Sequence, residues 1–170
     1  LIGITNQSEL IYSAGGQESL GKGNRIEKNL FLDGLSGISV TGNHKQGIHI
    51  LNNTFKNQTG KAIHTANLEA PVINGNLIRS NSTGTLFHGI FCDNCSKNTE
   101  ITKNKISLPE AGQYSYGIRL LTSNGIANNR GLIANNFVHI NGNNTTGIDA
   151  TSDYQNVYYN SVNITGEEGT

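Results

Sequence analysis

Six times along the chain an aliphatic residue is followed three positions later by Asn, and two positions after that by another apolar residue. The instances are Ile26-Asn29-Phe31, Ile50-Asn53-Phe55, Ile73-Asn76-Ile78, Ile101-Asn104-Ile106, Ile133-Asn136-Val138 and Val157-Asn160-Val162. Their asparagines are 24, 23, 28, 32 and 24 residues apart. Between successive instances lies a second element, a small residue and Ile followed by an alternating pair. It reads Gly37-Ile38-Ser39-Val40, Ala62-Ile63-His64-Thr65, Gly89-Ile90-Phe91-Cys92, Gly117-Ile118-Arg119-Leu120 and Gly147-Ile148-Asp149-Ala150.

Each period thus holds three short apolar patches, and a strand of three to five residues cannot bury its inward side chains alone. If each period is one turn of a coil, the patches become three strands stacked at ~4.8 Å on the coils above and below. The pattern predicts an all-β protein, a single-stranded parallel β-helix of about five to six coils, right-handed because parallel crossovers almost always are. The recurring Asn becomes the corner residue. It is expected to take a left-handed backbone conformation and to bond the same amide one coil away. The predicted ladder is Asn29, Asn53, Asn76, Asn104, Asn136 and Asn160.

The longer steps predict loops at residues 79–88, 107–116 and 122–131. Pro71 opens a strand and Pro109 falls in a loop, where a sheet tolerates them. Residues 1–25 fit the repeat poorly and are expected as an irregular first coil or partial cap, with 26–170 as one β-helix domain. Both ends look cut, so the chain is read as a piece of a longer protein.

Composition narrows the classes. Charged residues make up 14%, against roughly 25% in an average domain, and 12 basic residues balance 12 acidic ones. There are 25 Asn and 21 Gly in the 170 residues, with 2 Pro and neither Met nor Trp. Asn and Gly are poor helix formers, which disfavours a helical bundle or coiled coil. The missing charge excess argues against a basic nucleic-acid-binding face and against disorder. No run of 18 apolar residues occurs, so no membrane span is expected.

The Ile-x-x-Asn-x-Ile and Gly-Ile-x-Val elements, over roughly residues 26–165, resemble the parallel β-helix repeats of the pectin-lyase-like class. Gly131-Leu132-Ile133-Ala134-Asn135-Asn136-Phe137 and Tyr158-Tyr159-Asn160-Ser161-Val162-Asn163-Ile164 are similar to coils in large secreted surface proteins of Bacteroidota-type bacteria. The resemblance implies a right-handed β-helix and a secreted or cell-surface location.

Enzymes of this class work on the outer face of one sheet flanked by long turns, which points to the Gly-Ile strand. With Ile inward, the next residue points outward, giving the column Ser39, His64, Phe91, Arg119, Asp149. Two positions on, the column reads Thr41, Ala66, Asp93, Leu121, Thr151. As a uronate lyase, the chain would hold Ca²⁺ on Asp93 and Asp149 while Arg119 or His64 takes the C5 proton. As a hydrolase, two carboxylates would share acid and base roles. The clustered aspartates, Gly-His-Gly and Arg-x-Lys of polygalacturonase-like enzymes are absent, as is a calcium-holding acidic cluster. The same residues read equally as cross-strand neighbours, Arg119 pairing with Asp149 and stacking on Phe91.

Binding suits the composition better, because exposed Asn, Ser, Thr, Tyr and His meet the hydroxyls and C–H faces of sugars. The candidate ledge is His88, Phe91, Tyr114, Tyr116 and Arg119, beside the two long loops, with Phe87 near them. The preferred reading is a non-catalytic module, adhesive, carbohydrate-contacting or structural, with a polysaccharide or cell-surface glycan as partner. No cofactor is expected, save Ca²⁺ in the lyase alternative. A third reading is a self-stacking unit whose strand edges pair end to end. Cys92-Asp93-Asn94-Cys95 is a lone CxxC, read as packed small side chains or a local disulfide, since zinc needs two further ligands.

Overall fold

The computed structural model describes residues 9–14, 23–43 and 47–166. Short apolar patches at the repeat spacing form strands, and the strands form three parallel sheets of six, with no helix among the described residues. Sheet 1 stacks Glu9–Ala14, Ser36–Thr41, Lys61–Ala66, His88–Asp93, Tyr116–Leu121 and Thr146–Asp149. Sheet 2 stacks Asn24–Glu27, Ile48–Leu51, Val72–Asn74, Glu100–Thr102, Gly131–Ala134 and Gln155–Tyr158. Sheet 3 stacks Leu30–Leu32, Thr54–Lys56, Leu77–Arg79, Lys105–Leu108, Phe137–Ile140 and Ser161–Ile164. The chain visits them in turn, so the molecule is a β-solenoid of about five turns. Of the expected first coil at residues 1–25, Glu9–Ala14 is a strand paired with Ser36–Thr41, and most of the rest lies outside the described residues.

Register puts like on like. Ile38, Ile63, Ile90 and Ile118 form one interior column, Ile50, Ile73, Ile101 and Ile133 a second, and Phe55, Ile78, Ile106 and Val138 a third. All twelve are fully buried, each worth about 1.5–3 kcal/mol relative to exposure. Phe31 stacks on Phe55 with centroids 4.8 Å apart at the first coil. At the last coil Val157 and Val162 continue the second and third columns half-exposed.

The six corner asparagines form one continuous ladder. Asn53 shows the pattern: its Oδ1 accepts from the backbone N–H and side-chain N–H of Asn29, at 2.9 and 3.1 Å. Its Nδ2 donates back to the Ile26 carbonyl at 2.9 Å and onward to Asn76 Oδ1 at 3.2 Å. Two donors and two acceptor positions are all used, which lets the amide sit in the interior.

The left-handed backbone lies one residue earlier than expected. The positive-φ residues at this corner are Lys28, Asn52, Gly75, Lys103, Asn135 and Tyr159, each directly before a ladder Asn. The reason is the hydrogen bond just described. The ladder residue must aim its own N–H along the solenoid at the next coil's amide, so the chain turns before it. Lysine and tyrosine are uncommon in this conformation, and the ladder holds them there.

The small residue before Ile also has a geometric cause. A Cβ on Gly117 would run into Val138, and one on Gly147 into Val162, both side chains of sheet 3. Two consecutive residues, Gly and Ile, therefore face inward where strict alternation would send one outward. This local break sets the outer face of sheet 1.

Candidate functional site

Because alternation breaks at Gly-Ile, the residue before the pair and the residue after it both face outward and touch. Sheet 1 thus carries an outer column beginning its strands, Ser36, Lys61, His88, Tyr116 and Thr146, beside Ser39, His64, Phe91, Arg119 and Asp149. The first column escapes a reading based on strict alternation, which placed His88 and Tyr116 only at loop edges. The small residue preceding each Ile, glycine in four copies and Ala62 in the fifth, was the available signal.

The two columns pack as a continuous stack. His88 lies on Phe91 at 4.7 Å and on Tyr116 at 5.2 Å, and His64 lies on Phe91 at 5.2 Å. The Arg119 guanidinium sits 4.4 Å from the Tyr116 centroid and 5.9 Å from that of Phe91. Arg119 Nε is also 3.3 Å from Asp149 Oδ2. Of the five ledge residues, His88, Phe91, Tyr116 and Arg119 are thus brought together, and their ring faces are largely spent on one another. Tyr114 stands apart, over half exposed. Phe87 is buried in the interior and belongs to the core.

The histidines are unusual. His88 is 3% exposed, and among the described residues neither ring nitrogen makes a well-formed hydrogen bond. Its pKa is lowered to about 4 by burial first, then by Arg119 and Lys61, with the Leu86 backbone opposing. His64 is lowered to about 4 by burial, then by Lys61, against the pull of Asp93. Its Nδ1 lies 3.3 Å from Ser39 Oγ, and its Nε2 is buried with no hydrogen-bond partner among the described residues. Both rings are neutral at pH 7, so imidazole rather than imidazolium faces the outside.

Beside this stack opens a cleft of about 170 Å³ lined by Leu35, Ser36, Gly60, Lys61, Leu86 and His88. Among the described residues no carboxylate lies within ion-pair distance of Lys61. The lip is built under strain. Leu86 and Tyr114 occupy equivalent positions in adjacent loops, joined by the Leu86 N–H to the Gln113 carbonyl. Both have left-handed backbones, φ 65° and 60°, which cost apolar L-residues energy and cluster at working sites. Lys61, Ser36, Leu35 and Leu86 were not singled out by sequence, because contact across loops from different coils leaves no local pattern.

The residues considered for catalysis share the face without forming a constellation. Asp93 and Asp149 lie two coils and two residues apart, roughly 12 Å at the backbone by sheet spacings. Hydrolase carboxylates stand about 5–9.5 Å apart. Arg119 is committed to Asp149 and Tyr116, and His64 to Ser39 and Phe91.

Cys92 and Cys95 are both buried free thiols, so the local disulfide considered from sequence is not formed. Thr65 Oγ1 donates to Cys92 Sγ at 3.3 Å and lies 3.6 Å from Cys95 Sγ. A hydrogen bond between the two sulfurs raises the Cys92 thiol and lowers that of Cys95.

Residues 4–168 match the family model described as NosD, periplasmic copper-binding protein, and the chain belongs to that family. Comparison with curated proteins and with solved structures finds no match. The family description supports an exported β-helix module and corrects the cofactor expectation: neither no cofactor nor Ca²⁺ is what this family is described as binding, but copper. Among the described residues no three His, Cys, Asp or Glu side chains group to hold a metal. The donor set that fits copper is the pair of soft sulfurs at Cys92 and Cys95, because thiolates select Cu(I).

Proposed function

We propose that this chain is a non-catalytic, exported β-helix module whose working face is the outer side of sheet 1, contacting an acidic glycan. The observation that carries this is the open cleft at Lys61, a lysine with no carboxylate within ion-pair distance among the described residues, beside the stack of Phe91, His88 and Tyr116. The Lys61 ammonium would pair with a sugar carboxylate. Leu86 and Tyr114 offer apolar surface for sugar C–H faces. An adhesive role at the cell surface is consistent with such a face.

The test is binding of acidic and neutral oligosaccharides by calorimetry, with Lys61→Ala and Tyr114→Ala. Both variants are expected to weaken acidic-sugar binding while leaving the melting temperature nearly unchanged. Unchanged affinity in both would sink the cleft, and an ultraviolet-absorbing unsaturated product would establish a lyase instead.

A second reading is favoured by the Cys92–Cys95 pair together with the family description: the module carries copper. The two readings use different parts of the molecule, one outside sheet 1 and one within it.

A further inference from the structure

We infer that Cys92 and Cys95 form a two-sulfur Cu(I) site enclosed inside the solenoid. This rests on the reading that the module carries copper, and it names the residues, the oxidation state and the donor number.

Cys92 is the penultimate residue of the strand His88–Asp93, on an inward column whose register neighbours are Thr65 and Leu120. Cys95 follows after a turn at Asn94, whose φ is 48°. The turn brings the second sulfur back against the first. Thr65 then places one hydroxyl against both, at 3.3 Å from Cys92 Sγ and 3.6 Å from Cys95 Sγ. The same register position holds Val40 two coils before Cys92 and Leu120 in the coil after it, so the sulfurs and the hydroxyl form a polar, polarisable spot between aliphatic side chains. Cys95 is anchored by its N–H to Ser123 Oγ at 3.0 Å, and Ser123 Oγ donates to the Cys92 carbonyl at 3.0 Å. One serine thus ties the backbones of both cysteines into the next coil.

Donor count selects the ion. Among the described residues no third His, Cys, Asp or Glu groups with the pair, so they do not supply the four ligands of structural zinc or the six or more oxygens of calcium. Cu(II) prefers a tetragonal nitrogen and oxygen set. Cu(I) has a filled d shell, takes soft thiolates and is satisfied by two. Binding is Cu⁺ + 2 R–SH → [Cu(SR)₂]⁻ + 2 H⁺, with no electron transferred. The complex carries one negative charge, which the Thr65 hydroxyl is placed to meet. Burial of both sulfurs keeps water and competing thiols from the ion.

The experiment is anaerobic titration of the purified, reduced chain with Cu(I) held by bicinchoninate, after a thiol assay has confirmed two free cysteines. One Cu(I) per chain is expected to leave the chelator with two protons released, and X-ray absorption should show a first shell of sulfur alone. Cys92→Ser/Cys95→Ser should abolish the uptake while circular dichroism retains the β signal. Stoichiometric uptake persisting in that variant, or a nitrogen and oxygen first shell in the unaltered chain, overturns the site and leaves the copper reading standing. Failure of the unaltered chain to take up Cu(I) or Cu(II) overturns both. The absorption spectrum is taken on the unaltered chain, so misfolding of the variant leaves the proposal testable.

Discussion

Asn104 Oδ1 receives both the backbone N–H and the side-chain N–H of Asn76, at 2.9 and 3.0 Å. One atom therefore satisfies two buried donors of the coil before it. Asn104 Nδ2 repays that coil through the Ile73 carbonyl at 2.9 Å.

Asn104→Leu strands two buried polar groups, the Asn76 N–H and the Ile73 carbonyl, and leaves one Asn76 side-chain N–H with only the Asn74 carbonyl at 3.2 Å. Each costs about 1–3 kcal/mol unpaired, so a loss of about 4 kcal/mol is expected after partial relaxation. Asn29→Leu, at the exposed start of the ladder, leaves Asn53 Oδ1 still bonded to the residue 29 N–H and should cost under about 1 kcal/mol. Urea denaturation of the two variants checks the contrast. Equal losses would show that the ladder contributes by shape rather than by satisfied donors.

Gly147→Ala should destabilise the last coil by about 1 kcal/mol or more, as overpacking does, because the added methyl runs into the Val162 side chain. Val162→Ala in the same chain should restore most of that loss. Thermal melts of the single and double variants decide it. If the second change gives no recovery, the clash with Val162 is not what keeps a glycine at this position.

His88 and His64 predict an acid limb in stability. Each has a folded pKa of about 4, lowered from 6.5 chiefly by burial. Between those values the unfolded chain binds more protons, so stability falls as pH drops from 6.5 towards 4 and the contribution levels off below 4. His88→Gln should flatten this limb relative to the unaltered chain, measured as melting temperature against pH. Identical slopes in the two proteins would mean that His88 is solvated.

The solenoid was legible because its signal is repeated. One Ile-x-x-Asn-x-Ile is weak, but six in alternation with Gly-Ile leave few ways to bury their apolar residues. The columns Ser39-His64-Phe91-Arg119-Asp149 and Asn29 to Asn160 followed from counting alone. What did not follow were effects of geometry finer than the repeat. The left-handed residue was misplaced by one, at Asn104 instead of Lys103, because propensity favours Asn there while the ladder requires its N–H elsewhere. Lys61 was missed, and His88 was named only as a residue beside the loops, because Gly-Ile breaks the period of two. The cleft joins Leu35, Lys61 and Leu86 from different coils, and such contacts are set by loop paths that carry no periodic pattern.

Arg119 links these features. It covers Tyr116 at 4.4 Å, pairs with Asp149 at 3.3 Å and helps hold the His88 pKa down. Arg119→Met keeps much of the apolar stem but removes the cation, leaving Asp149 half-buried without its partner. The loss at pH 7 should be about 1–2 kcal/mol, moderated by the solvent that reaches the pair. Arg119→Met/Asp149→Asn should recover part of it, giving a coupling that shrinks at high salt. The same variant relieves His88 of a neighbouring positive charge. Its ring proton resonances should therefore titrate at higher pH than in the unaltered chain. An unshifted titration would mean that burial alone sets His88, and that the Arg119 charge is spent on Asp149.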